Sequence, residues 1–229
     1  MAELPVLSLN AMQQIPFDPY DFFGYLASGL LVIVGMQLTL GFPRVLAQDL
    51  KTVDLAMLLL AIYVAGQMVA TPAKALLEDI IVDKLLERPS INLFRAKRPW
   101  FRCLFFPGFC KPLPAAIRTK ILKKAEAEGI KGTGEPLFLY VRYNPQVLGD
   151  ATLMAKLNSF INKYGFARNL AFTSFGVGAA LLLKSRLYSN PDLMKYAVTA
   201  LIVGMFLFYR YLKFFRQYSY EMFNTYGLK

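Results

Sequence analysis

Hydrophobic positions along the chain collect into four stretches that contain no charged residue. The first two, residues 22–42 and 55–73, are 21 and 19 residues long. Because an α-helix rises about 1.5 Å per residue, each stretch reaches roughly 30 Å, the thickness of the hydrocarbon core of a bilayer. The two stretches therefore predict two transmembrane helices joined by a short polar connection.

The other two stretches are shorter. Residues 169–183 and 196–209 hold 15 and 14 uncharged residues, and a lysine or arginine bounds each of them on both sides. Such long basic side chains can reach toward the membrane surface and lengthen the effective span. With the polar turn 185–192 between them, the stretches predict a second transmembrane hairpin. The alternative is two spans and a soluble domain, since a buried soluble helix has a similar length.

The segment between the second and third spans is typical of a small mixed domain. Apolar residues recur at helical spacing in 74–88, 113–129 and 150–164, and the third of these helices is expected to continue into the third span. Residues 136–143 (PLFLYVRY) are typical of a short β-strand. The pattern thus predicts an α+β domain beside the membrane helices.

The predicted fold class is therefore mainly α, a membrane helix bundle with four transmembrane helices and a small α+β cytoplasmic domain between spans 2 and 3. The predicted domains are an N-terminal tail with the first hairpin (1–73), a basic cytoplasmic domain (74–168), and the second hairpin with a C-terminal cytoplasmic tail (169–229).

Charge gives the predicted orientation. The chain carries 26 lysines and arginines against 15 acids, and residues 74–168 hold 17 of the basic residues and 8 of the acidic ones. The positive-inside rule places that segment in the cytoplasm, although the rule weakens for long loops. We expect a multi-pass protein of the bacterial inner membrane with both termini cytoplasmic. Residues 1–21 contain no lysine or arginine, so the first stretch is expected to remain as an anchor and not to be a cleaved signal peptide.

The sequence carries no enzyme signature. It has no histidine, the commonest general base and metal ligand, and no phosphate-binding or nucleophile motif with the required spacing. We expect no catalytic residue, no metal site and no cofactor, and hence no enzyme. Cys103 and Cys110 are interpreted as buried apolar residues. The acids that share one helical stripe are interpreted as a solvated face or as ion pairs with Lys84 and Arg88; they are Glu78, Asp79, Asp83 and Glu87.

Two clusters of cations are the candidate binding sites. The first interleaves cations with aromatic rings and consists of Arg95, Lys97, Arg98, Trp100 and Arg102; the second consists of Arg118, Lys120, Lys123 and Lys124. Three interpretations stay open. The cations can follow from topology and contact with anionic membrane lipids, they can bind a nucleotide or oligonucleotide, or they can bind a protein partner.

A few polar residues lie within the predicted spans. They are Ser28, Gln37, Tyr63 and Gln67, and we interpret them as interhelix or pore-lining residues. Gln37 and Gln67 are predicted at different depths, so each is expected to pair with its own copy in a homo-oligomer. Small residues four positions apart permit close helix contacts: Gly24 and Ser28, Gly66 and Ala70, and Gly176 and Ala180.

Two segments resemble a known class of proteins. They are residues 19–26 (PYDFFGYL), which enter the first span, and residues 160–169 (FINKYGFARN), which lead into the third. Both resemble the corresponding parts of small membrane subunits of bacterial antiviral defence operons, of the Kiwa and Hailong kind. The resemblance implies a partner protein encoded by a neighbouring gene and a membrane-perturbing or infection-sensing role.

Two functions are expected from these features. The first is an inner-membrane effector in antiviral defence, a homo-oligomeric channel or pore gated through its basic cytoplasmic domain. The second is a non-conducting membrane anchor or sensor that recruits a cytoplasmic partner protein.

Overall fold

The computed structural model describes residues 19–41, 51–95 and 104–228. Its helices are α1 (Pro19–Leu40), α2 (Thr52–Ala73), a π-helical segment (Lys74–Leu86), α3 (Pro89–Asn92), α4 (Ala115–Ala127), α5 (Glu135–Tyr143), α6 (Pro145–Leu148), α7 (Ala151–Tyr188) and α8 (Pro191–Leu228). Within the described residues, four helices are long and apolar enough to cross a membrane. They coincide with the four predicted stretches and are consistent with a multi-pass membrane protein.

The first hairpin is held by direct contact between two backbones. A Cβ atom built on Gly29 of α1 would lie 1.7 Å from the carbonyl oxygen of Ile62, and one built on Gly66 of α2 would lie 1.9 Å from that of Tyr25. Glycine at both positions lets the helices approach more closely than any other residue allows. The close contact at Gly66 is therefore between two helices of the same protomer.

The second hairpin is far longer than a bilayer is thick. α7 and α8 have 38 residues each, or about 57 Å at 1.5 Å per residue. The chain reverses at Ser189, which has a left-handed φ of 49°, and the side chain of Asn190 then accepts backbone N–H bonds that start α8. Residues 169–188 and 191–209 contain the two uncharged stretches, 169–183 and 196–209. We call these the membrane halves, and residues 151–168 and 210–228 the domain halves.

The domain halves of α7 and α8 form the scaffold of a helical domain. The end of α8 supplies Tyr218, Met222, Phe223 and Tyr226 to its core, and each of these side chains is at most 7% exposed. The partners in that core come from α4 to α7 and include Ile121, Leu137, Val141, Val147, Leu153 and Leu157. Residues 210–228, assigned from the sequence to a tail, therefore lie at the centre of the domain.

The predicted β-strand is wrong. Residues 136–143 belong to α5, and the part of the chain that the structure describes contains no strand, so the predicted α+β domain is replaced by an all-helical one. Leu137 and Val141, four positions apart, are both fully buried against the end of α8. A lone strand would leave its backbone N–H and C=O groups without a neighbouring strand, whereas a helix pairs them internally. Tertiary packing here overrides local strand propensity.

The predicted helix after the second span exists, but in another hydrogen-bonding pattern. Pro72 lies inside α2 and has no backbone N–H to donate, and the π-helical segment begins directly after it at Lys74. Leu77 and Val82, five positions apart, are both buried. With Phe208 and Tyr211 of α8, they form a second core where the membrane and domain halves meet.

Candidate functional site at the membrane boundary

The first predicted cation cluster lies mostly outside the described residues. Of its members the structure describes Arg95, whose guanidinium forms an ion pair with Glu87 at 2.7 Å. Lys97, Arg98, Trp100 and Arg102 fall in the segment that is not described, as does Cys103. Their proposed role in binding lipid or an anionic ligand therefore stays a prediction. Cys110 is buried, at 4% exposure.

The structure divides the second predicted cluster into two kinds of residue. Lys120 and Lys123 are exposed on α4. Lys124 instead points toward the end of α8, where its ammonium donates to the carbonyl oxygen of Tyr226 at 3.2 Å and lies 4.7 Å from that residue's ring centroid. Arg118 is half-buried beside them. Only part of the cluster is thus presented to solvent.

A pair of tyrosines fixes the end of α8 to the loop that follows α4. The carboxylate of Glu128 accepts a hydrogen bond from the hydroxyl of Tyr226 at 2.5 Å. Glu128 also accepts one from Tyr140, and this bond raises the pKa of the Tyr140 phenol above its ordinary value. The bond favours the neutral phenol because ionisation would place a second negative charge beside the carboxylate.

Tyr226→Phe is expected to remove one hydrogen bond to a charged acceptor and nothing else. We expect a loss of about 1 kcal/mol, or a fall in Tm of about 2–4 °C for a chain of this size. The measurement is thermal unfolding of the purified protein in detergent. The matched control is Tyr143→Phe, because Tyr143 is 66% exposed; equal shifts in the two variants would contradict the role of the Tyr226 hydroxyl.

The polar residues of the first hairpin have separate environments. The hydroxyl of Ser28 is fully buried and donates to the carbonyl oxygens of Gly24 and Tyr25 on its own helix, at 3.0 and 3.1 Å. Gln37 is half-buried on α1. Because Gly29 lies at the crossing with α2, Gln37 is two turns, or about 12 Å, beyond it. Ser28 therefore forms its hydrogen bonds within its own helix, whereas Gln37 lies beyond the crossing of α1 with α2.

Gln67 and Tyr63 form a polar pair on α2. The amide nitrogen of Gln67 donates to the hydroxyl of Tyr63 at 2.9 Å. The Tyr63 ring packs against Phe22 and Tyr25 of α1, with centroids 5.4 and 5.9 Å apart, but the Gln67 side chain is exposed on the outer face of the hairpin. An amide on the outer face of an apolar helix is the feature that a second copy or a water-filled path would satisfy.

A largely buried ion pair at the boundary joins the two hairpins. The guanidinium of Arg168 on α7 meets the carboxylate of Glu78 on the π-helical segment at 2.5 Å, and their side chains are 13% and 16% exposed. The ring of Tyr164 lies beside that of Tyr211, whose buried hydroxyl has no hydrogen-bond partner among the described residues. The sequence predicts only a solvated face or a local ion pair for Glu78, and only a charge flanking the third span for Arg168.

Asp83 of the predicted stripe also forms an ion pair. Arg88 pairs with Asp83 at 2.5 Å, which is one of the local ion pairs that the sequence predicts. The same guanidinium reaches Glu135 of α5 at 2.8 Å, and Ser90 donates to the other oxygen of that carboxylate at 2.8 Å. The π-helical segment is thereby connected to the helical domain as well as to α7.

Within the described residues, no group of three or more Cys, Asp and Glu side chains is placed to hold a metal ion. The site is instead a structural junction, at which a largely buried ion pair links the segment that follows α2 to the helix that continues into the domain. Comparison with protein-family models, curated proteins and solved structures finds no match for this chain.

Proposed function

We propose that the protein is a homo-oligomeric effector of the bacterial inner membrane, with both termini cytoplasmic, whose membrane helices form or gate a conducting path. The basic helical domain receives an anionic signal such as a nucleotide or oligonucleotide. Its role in antiviral defence follows the resemblance of residues 19–26 and 160–169 to membrane subunits of defence operons. The observation that supports this most is that α7 and α8 run without a break from the domain into the membrane.

Unbroken helices suit transmission of a signal. α7 and α8 are each continuous over 38 residues, so a displacement at the core of the domain has a direct path to their membrane halves. The ion pair between Glu78 and Arg168 carries the same displacement to the first hairpin. Rigid elements joined by a buried polar link are the kind of contiguous network through which distant sites are coupled.

The exposed amide of Gln67 favours an oligomeric protein that conducts over a monomeric anchor. The outer face of α2 around it is apolar, with Val64 and Met68 exposed by 47% and 73%. A polar side chain there is stabilised when it meets another protomer or water. Two or more copies arranged through α2 would place the Gln67 and Tyr63 pairs together.

Ion flux from liposomes and the mass of the detergent complex test the proposal. We expect the wild type to be oligomeric and to conduct, and Gln67→Leu to weaken assembly and to change the flux severalfold. The matched control is the neighbouring Met68→Leu, which conserves volume and apolar character and should behave like the wild type. A wild-type monomer that passes no ions would reject the proposal.

A membrane-anchored recruiter is the second candidate, and one observation favours it. Lys120 and Lys123 are exposed on the same helix, and in the described part of the chain no carboxylate pairs with either. Such a face suits an acidic protein partner. If recruitment is the function, Lys120→Glu with Lys123→Glu abolishes capture of one dominant partner while the oligomeric mass is unchanged.

A further inference from the structure

A groove of about 830 Å³ lies on α8 where its membrane half meets its domain half. Residues 203–217 of α8 form its floor, and the segment 106–109 forms one wall. The volume is in the range of pockets that hold small ligands. None of the predicted site residues that the structure describes lines this groove.

The wall of the groove is fixed in place by aromatic contacts. The Phe106 ring packs on Phe208 and Tyr209 of α8, with centroids 5.6 and 4.9 Å apart. The hydroxyl of Tyr209 donates to the carbonyl oxygen of Phe105, and Phe109 is buried in the core beneath. The groove is therefore part of the folded protein.

One end of the groove is apolar and faces the membrane. Val203, Phe206 and Leu207 line it, and all three belong to the membrane half of α8. Phe206 is 71% exposed and Val203 is 44% exposed. In a bilayer that encloses the membrane half of α8, this open apolar surface would meet the acyl chains.

The other end of the groove is cationic. Arg210 and Lys213 are exposed there, and both lie near the Phe214 ring, at 5.2 and 6.0 Å from its centroid. Lys163 of α7 approaches the same ring at 5.7 Å. Among the described residues, no carboxylate forms an ion pair with any of these three cations.

A fourth cation is anchored beside them. The guanidinium of Arg216 donates to the carbonyl oxygen of Lys111 at 2.8 and 3.2 Å, which holds it at the rim of the groove. Lys163, Arg210 and Lys213 repel one another and have no carboxylate partner among the described residues, so this end is electrostatically complementary to an anion. From Val203 to Arg210 is seven residues, or about 10 Å along the helix. One amphiphile can therefore reach both ends.

We propose that this groove binds an anionic phospholipid of the inner leaflet. Its phosphate lies between Arg210 and Lys213, and an acyl chain follows Phe206 and Val203 into the bilayer. Basic pockets at the cytoplasmic ends of membrane helices bind anionic headgroups by this chemistry. A soluble phosphate would use the cationic end alone, and the apolar end that opens to the membrane favours the lipid. The proposal is independent of whether the protein conducts.

The test measures lipid binding to the purified full-length chain by native mass spectrometry, with phosphatidylglycerol and phosphatidylcholine as probes. We expect the wild type to retain phosphatidylglycerol in preference. Arg210→Gln with Lys213→Gln should weaken that binding roughly thirtyfold, since each cation near a membrane surface contributes a factor of about five. The matched control, Lys84→Gln with Lys131→Gln, changes the net charge equally at two exposed lysines that have no assigned binding role, and it should bind as the wild type does.

A second variant tests the apolar end and keeps the cations. Phe206→Asn should weaken binding of phosphatidylglycerol but leave the weaker binding of soluble glycerol phosphate to the cations unchanged. Thermal unfolding without added lipid shows whether each variant is folded. Equal retention of both lipids by the wild type would overturn the proposal. So would equal losses in the variant and its lysine control, or displacement of the lipid by soluble glycerol phosphate at matched concentration.

Discussion

Gly66→Ala is expected to lower the free energy of unfolding by about 3 kcal/mol or more, and Tm by about 6–12 °C. The added Cβ would lie 1.9 Å from the backbone carbonyl oxygen of Tyr25. A backbone atom cannot turn away as the end of a side chain can, so α1 and α2 must separate along the whole crossing. Gly29→Ala is expected to do the same, because its Cβ would lie 1.7 Å from the carbonyl oxygen of Ile62.

The chain offers a matched control on α7. A Cβ on Gly176 would meet nothing within 4 Å, and Gly176 is also helical and apolar in its surroundings. Gly176→Ala should leave Tm unchanged or raise it, since alanine is favoured over glycine in a helix by about 1 kcal/mol. Thermal unfolding in detergent compares the two variants. Similar Tm values for Gly66→Ala and Gly176→Ala would show that the α1–α2 crossing is not in backbone contact.

Breaking the ion pair at the boundary is the second large effect. Arg168→Met leaves the Glu78 carboxylate without its cation in a site where the side chain is only 16% exposed. Removal of one partner of a buried pair costs about 3–5 kcal/mol, because the remaining charge is desolvated and unpaired. We expect a fall in Tm of about 6–20 °C. Glu78→Met should have a comparable effect.

The double variant separates the pair from the cost of a lone charge. Glu78→Met with Arg168→Met leaves no buried charge, so its Tm should exceed that of either single variant. The exposed pair of Lys195 and Asp192, 77% and 73% exposed, is the control. Lys195→Met should cost less than about 1 kcal/mol. Additive losses in the double variant would mean that Glu78 and Arg168 act independently.

If the junction also transmits the signal, the double variant conducts without a response to ligand.

Much of the membrane part could be predicted from the sequence, because an uncharged run of about 20 residues has few alternatives to a bilayer. The stretches 22–42 and 55–73 correspond closely to α1 and α2. The stretches 169–183 and 196–209 located the second hairpin but not the length of its helices. The expected continuation of the helix at 150–164 into the third span is confirmed by α7. Charged residues end an apolar run without ending a helix, so hydropathy could not show that α8 continues through Arg210.

The helical domain was harder to predict, since its structure depends on packing between distant segments. The sequence PLFLYVRY fits a strand by propensity, and only its burial against Phe223 and Tyr226 makes it helix α5. The last turns of α8 carry enough tyrosine, arginine and lysine to be interpreted as a tail. Their apolar face packs in one core with Ile121 and Leu137, and these partners are distant in the sequence.

The sequence by itself determined that four apolar helices exist, where they lie along the chain and which segment carries the excess of positive charge. Hydropathy and charge are local properties, which one stretch of residues expresses without reference to any other. The tertiary structure alone decided that Glu78 meets Arg168 ninety positions away, that Gly29 and Gly66 bring two backbones into contact, and that Phe206 and Arg210 open onto one groove. These features depend on which helix faces meet, and that is settled by the packing of the whole chain.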